Sequence, residues 1–144
     1  MLEFKSTLRW NLKTDKPGKE IELAWLKTVV AYLNTKGGKI FIGVSDDGEV
    51  LGLDTDNFKN NDKLLLHVNN LIKQHIGLGF SRYITVELHT LDERNILVIT
   101  CEASQEPVFL KQNKEEHFYI RTGPASTRLS MSEMLKYVAQ RQVT

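Results

Sequence analysis

Apolar residues between positions 19 and 35 recur mostly at spacings of three to four, at Ile21, Trp25, Leu26, Val29 and Leu33. That is the period of an amphipathic helix. Gly37 ends it, because glycine tolerates the left-handed conformation that follows a helix C-terminus. A second period of this kind predicts a helix over 62–76, with Leu65, Val68, Leu71, Ile72 and Ile76 on its buried side. A third helix is expected from Ser130 to Gln142, opened by Ser130 and Glu133 at capping-box spacing.

Between the helices the pattern is that of strands. Residues 39–44 are mostly apolar and alternate poorly, as in a strand covered on both faces. Asp47-Gly48 then signals a tight turn into a returning strand that reaches Leu53. Residues 83–91 and 95–102 flank the turn Asp92-Glu93-Arg94, and residues 108–110 and 117–121 make another pair joined by the polar loop 111–116. A short strand is expected over 2–10, with Glu3 and Lys5 on one face and Phe4 pointing into the core. Residues 11–18 form a polar loop whose Pro17 suits the first turn of a helix. The sum is one α+β domain over residues 1–144, with a mixed sheet of about six strands and three main helices.

Composition narrows the class without naming a function. The chain has 144 residues, enough for one buried core, and 41% hydrophobic and 26% charged residues are ordinary for a globular domain. No apolar run approaches the roughly 20 residues of a membrane span, and no signal-peptide core opens the chain. Cys101 is the single cysteine and sits in the apolar run 95–103, which implies a buried, reduced thiol and a cytoplasmic setting. The net charge of +1 is no mark of a nucleic-acid binder, but its distribution is uneven. Residues 1–39 carry eight cations against four carboxylates, a balance of +4, and residues 40–62 carry one cation against six, a balance of −5. Such a polarity can orient a polyanion at one edge; the alternative is solvated charges on unrelated faces.

Several chemistries lack support. Gly37-Gly38 is not followed by the Lys and Ser or Thr of a phosphate-cradling loop. His67, His75, His89 and His117 are scattered, and one cysteine cannot complete a zinc spacing. Three features remain open between structural and functional use. Gly37 and Gly38 stop a helix, and their amides also allow a close approach to phosphate. Glu3 and Asp46 share a divalent cation such as Mg²⁺ or Mn²⁺ if the first strand lies beside the Asp46 turn. The run 118–128 combines aromatics, Arg121, Arg128 and the hydroxyls of Thr122, Ser126 and Thr127, a set suited to phosphate oxygens. If Tyr119 and Arg121 face outward, Phe118 and Ile120 face the core; the alternative is a structural arginine that anchors a loop.

Four motifs in order extend over nearly the whole chain: E-F-K-S-T at 3–7, A-x-L-N-T-x-G-G at 31–38, I-G-V-S-D-D-G-x-x-x-G-L at 42–53 and F-Y-I-R-x-G-x-x-S at 118–126. Together they resemble the Schlafen-type AlbA domain, often described as a DNA-binding domain of bacterial proteins. The resemblance implies a mixed α+β fold, association with DNA or RNA, and a place beside other domains in a larger protein such as a transcriptional regulator. Some animal relatives are endoribonucleases that cut tRNA and rRNA with three carboxylates and a divalent metal. Glu3 and Asp46, rather than Asp47, match two of those carboxylates. The third would lie five residues before Glu3, and this sequence starts two residues before it. The resemblance therefore implies binding ahead of cleavage, in an excised or truncated domain. The expected contacts are Lys5, Arg9, Arg121, Ser126 and Arg128 on phosphates, with Gly37 and Gly38 allowing close backbone approach. A metal-dependent ribonuclease centred on Glu3 and Asp46 is the alternative, and self-association as a homodimer or interaction domain is the third reading.

Overall fold

Helix α1 (Lys19–Leu33) forms where the three-to-four spacing places it. It carries more buried surface than an amphipathic helix needs, since every residue from Thr28 to Leu33 is buried. A helix buried all round must be covered on several sides, and α1 lies between two sheets. In the computed structural model, which describes residues 1–141, its neighbours are β1 (Leu2–Lys5), β4 (Gly38–Ile42), β6 (Arg94–Cys101) and β5 (Ile84–Leu91), in that sheet order. On the other side stands the sheet of β7 (Leu110–Gln112), β8 (Glu115–Thr122) and β9 (Ala125–Leu129). A two-residue ribbon pairs β2 (Trp10–Asn11) with β3 (Lys16–Pro17). Helix α2 (Asn61–His75) completes the core through Leu64, Val68 and Ile72, and α3 (Met131–Gln140) follows β9.

The α+β class and the three helices agree with the sequence expectation, and the strands divide among these three sheets. The four-stranded sheet is mixed: β1 runs parallel to β4, and β4, β6 and β5 are antiparallel. Its inner face presents Ile40, Ile42, Leu97 and Ile99 to the core, and all four are fully buried. The outer face holds a second cluster of Val44, Ile96 and Val98 with Phe4 and Phe41 packed on it. Phe4 does turn away from Glu3, although into this smaller cluster. β4 is not covered equally on both faces, because Lys39 is exposed and Phe41 half-buried.

Turn chemistry accounts for the hairpins. Asp92 and Glu93 both adopt positive φ, as do Asn113 and Lys114, the conformation that a two-residue hairpin loop requires. The β7–β8 loop is therefore two residues long rather than six. Ser45 to Gly48 make a turn closed by Gly48 N–H to Ser45 O at 2.9 Å, and only Val44 and Val50 bridge across it. The Asp-Gly signal was a turn, with no regular returning strand behind it. Pro17 lies in β3, and Gly18 caps α1. Helix α3 opens with the expected capping box at Ser130 and Glu133 and ends at Gln140. Residue 142, where the sequence placed its end, lies outside the described residues.

The first strand stops at Lys5 instead of reaching Trp10, and the reason lies far along the chain. The carboxylate of Asp56 is fully buried and accepts the backbone amides of Leu8, Arg9 and Trp10 at 2.8–3.0 Å. Amides gathered on one carboxylate cannot also serve a sheet ladder. Cys101 is buried as expected, and burial pushes its thiol up to about 12. Among the described residues, no helix is long and apolar enough to cross a membrane.

Candidate nucleic-acid interface

Register builds the site. β1 pairs with β4 so that Glu3 stands opposite Ile40, which places Glu3 and Lys5 on the face that meets α1. From the other side β8 carries Arg121 toward the same helix. The two meet: Arg121 Nη2 donates to Glu3 Oε1 at 2.7 Å, and Thr28 Oγ1 of α1 donates to Glu3 Oε2 at 2.5 Å. Arg121 also donates from Nη1 to Ser126 Oγ at 3.1 Å and from Nε to Gly123 O at 3.2 Å. Its guanidinium lies 5.2 Å from the centre of the Tyr32 ring, a cation–π distance. The Lys5 ammonium is 3.7 Å from Glu3 Oε2.

Arg121 is thus turned inward, with only 3% of its side chain exposed. Tyr119 is buried as well, so of the two readings of this run the fold takes the inward one, an arginine that anchors a loop. The cause is that β8 is covered on both faces, by α1 on one side and, on the other, by Phe109 and α3 Tyr137, whose rings pack against Phe118. For Glu3, burial raises the carboxyl pKa, but bonds from Arg121 and Thr28 and the charges of Lys5 and Arg121 outweigh it. The carboxyl lies below its ordinary 4.5 and is ionised at neutral pH.

The motif Leu33-Asn34-Thr35 is what holds the second sheet to α1. Asn34 Oδ1 accepts Val108 N–H at 2.8 Å, and its Nδ2 donates to Val108 O and Tyr119 O at 2.8 and 3.0 Å. Thr35 Oγ1 accepts the Arg121 amide at 3.0 Å. The helix-end carbonyls are closed from α3 and beyond: Tyr137 Oη donates to Asn34 O, and Arg141 Nη2 to Leu33 O and Thr35 O. Gly37 is buried, and its amide donates to Tyr32 O at 2.9 Å. A Cβ there would run into the Cys101 carbonyl oxygen, and one at Gly38 would meet the Tyr32 ring at 2.7 Å. Both glycines serve the helix-to-strand passage. The Tyr32 hydroxyl is buried without a hydrogen-bond partner among the described residues, and burial raises its pKa above 10.0 against the pull of the Arg121 charge.

The remaining sequence candidates separate. Arg9 donates from Nε to Asp56 O at 2.8 Å and from Nη2 to Asn57 O at 2.9 Å, and stacks 3.7 Å over Phe58, so it ties the N-terminal segment to residues 56–58. Ser126 joins the Glu3–Arg121 cluster. Arg128 lies two residues further along β9, opposite Tyr119, and is exposed. Lys27 of α1, which is not among the sequence candidates, comes within 5.9 Å of the Tyr119 ring. Its place in the basic segment 1–39 is the signal that the sequence offers.

A divalent cation finds a poor donor set here. Both oxygens of Glu3 are engaged by Arg121, Thr28 and Lys5, which neutralise the charge a hard cation needs. Asp46 is exposed on the Ser45–Gly48 turn, and no group of three acidic, histidine or cysteine side chains suited to a metal occurs among the described residues. Glu3 and Asp46 therefore do not fit a shared Mg²⁺ or Mn²⁺.

The profile of the Schlafen, AlbA_2 family matches residues 1–130. Among solved structures the fold is similar to the DIP2311 protein of Corynebacterium diphtheriae, with a TM-score of 0.66 at 20% identity. The match takes in 99% of this chain and 27% of that one, so this chain spans about a quarter of that length. It is also similar to the N-terminal domain of a protein from Nitrosomonas europaea described as an ATP-dependent DNA helicase RecG-related protein, with a TM-score of 0.52 at 16% identity, over 90% of this chain and 83% of that one. At these identities the likeness is one of fold. No curated protein sequence matches the chain.

Proposed function

The chain belongs to the Schlafen AlbA_2 family, and on that premise we propose that it is a nucleic-acid-binding domain whose contact surface runs along α1 and β9. The observation that carries this reading is that three elements bring Lys5 beside Glu3, and Lys27 and Arg128 to Tyr119, two residues along β8 from Arg121. Arg121 spends its charge inside the fold, where it sets the β8–β9 hairpin against α1. Lys27 and Arg128 have no carboxylate partner among the described residues and stand ready for phosphate oxygens, with Lys5 beside Glu3 as the third cation. A net charge of +1 does not oppose this, because a phosphate feels mainly the charges within a Debye length of about 10 Å at 0.1 M salt. That a similar fold occurs in a protein described as helicase-related supports the same reading. The Corynebacterium protein, in which this fold fills about a quarter of the chain, supports a module that brings a larger protein, such as a transcriptional regulator, to its nucleic acid.

Contacts to phosphates are independent of sequence and release counterions, so the association constant should fall steeply as salt rises. The test is fluorescence anisotropy with a labelled single strand, a duplex and tRNA, from about 50 to about 200 mM salt. Binding at low salt that weakens linearly on a log–log plot is expected. Binding indifferent to salt, or absent throughout, would sink the proposal.

A further inference from the structure

We propose that the domain holds a pocket for one unpaired nucleobase, built on Trp10 beside the phosphate-binding strip; this rests on the nucleic-acid reading above and gives it a substrate class, single-stranded nucleic acid. The pocket lies between the β2–β3 ribbon, the end of β1 and the first half of α1, with a volume of about 380 Å³. That is at the small end of ligand sites, with room for one planar group and its sugar. Its apolar walls are Trp10, Leu12, Ile21 and Ala24, with Lys5 and Lys13 as its cations and no carboxylate in its lining. A flat apolar surface with cations at hand matches a base whose backbone carries a phosphate on either side.

Two features make Trp10 a platform rather than a loosely placed ring. Its amide is fixed on the buried Asp56 carboxylate, and its indole Nε1–H donates to Asp15 Oδ1 at 3.0 Å. Asn11 stiffens the same loop, accepting Lys13 N–H and donating to Glu20. The ordering that stacking requires is therefore present before any ligand arrives. Leu12 shows the opposite economy, since 59% of it is exposed. The pocket is also continuous with the strip: Lys5 belongs to both, and Ala24 lies one helical turn before Thr28, to which its carbonyl is bonded. A base can enter only unpaired and unstacked, so a duplex would reach the strip without reaching the pocket.

Binding of about 12-residue oligothymidylate and oligouridylate to the full chain, compared with an abasic strand and a duplex of equal length, tests this; base–aromatic stacking predicts about 5- to 100-fold tighter binding of one or both homopolymers. Trp10→Ala and Leu12→Ala should lower affinity for that strand to the abasic level, while Trp10→Phe retains most of it. Leu12 is exposed, so its variant keeps the test valid even if Trp10→Ala fails to fold. Equal affinity for all the strands, unchanged by Leu12→Ala, would remove the pocket and leave phosphate binding standing. If no strand binds at any salt, the nucleic-acid reading falls and the pocket with it.

Discussion

Arg121 makes the clearest case for how one residue's role depends on what the chain folds around it. In sequence it stands between aromatics and hydroxyl residues, in a run suited to phosphate. In the fold its guanidinium is shut inside with Glu3, Ser126 and the Gly123 carbonyl. Removing one member of a buried pair leaves the other charge desolvated and unmatched, a loss of about 3–5 kcal/mol. Lys5 and Thr28 still compensate Glu3, so Arg121→Ala should cost about 3 kcal/mol, and urea denaturation of the two proteins measures it. The pair also sets an acid limb. Because the folded carboxyl of Glu3 lies below its ordinary 4.5, its contribution is complete above that value and is lost as pH falls through the lower, folded one. Stability measured from neutral pH downward should fall less in Glu3→Gln than in the wild type once the pH passes 4.5. Part of the limb should survive, because Glu20, bonded by Asn11, and Glu133, bonded at Ser130, are depressed as well.

At the scale of elements, what local chemistry decides was legible. The periods of α1 and α2, the capping box of α3 and the loop stops at Gly37 and Gly48 are all short-range signals, and the fold honours them. β9 was missed because Ala125–Leu129 is short and polar, with nothing local to separate a strand from a phosphate-binding loop. The facing of β8 stays open in sequence because both of its sides are covered, which erases the alternation that tells inside from outside. Asp56 looked like one acid in an acidic run, and nothing nearby in sequence reveals its three amides 46 to 48 residues away. In sequence the Asn34-Thr35 pair stands only within a family pattern, yet in the fold it joins α1 to the second sheet. Asn34→Ala strands the amide and carbonyl of Val108 and loses the bond to Tyr119 O, all within the core. With each unmet buried group costing about 1–3 kcal/mol, a total near 3 kcal/mol or more is expected. Hydrogen exchange supplies the specific readout: the Val108 amide should lose protection ahead of amides in β4 and β6. Uniform loss across both sheets would mean the clamp is not local.

At the scale of the whole molecule, the charge polarity read from sequence was real but did not map onto one surface. Of the eight cations in residues 1–39, Arg9 is bound to the backbone at 56 and 57, and Lys5 leans on Glu3. The cations beside α1 are completed by Arg128, from far along the chain. Of the six carboxylates in residues 40–62, Asp56 is a buried acceptor, while Asp46 and Asp47 lie exposed on a turn. Position, then, should matter more to binding than total charge, and equal changes of charge can separate the two. One variant carries Lys5→Gln, Lys27→Gln and Arg128→Gln; the control carries Lys59→Gln, Lys63→Gln and Lys73→Gln, all three exposed on or before α2. Both lower the net charge equally. With roughly 0.7 counterions released per phosphate contact on a single strand, losing three contacts should flatten the log–log salt slope by about 2 in the first variant. The control should keep the wild-type slope, with only a small uniform loss of affinity from the weaker long-range field. Equal flattening in both would show that the molecule attracts nucleic acid through its overall charge, with no strip along α1 and β9.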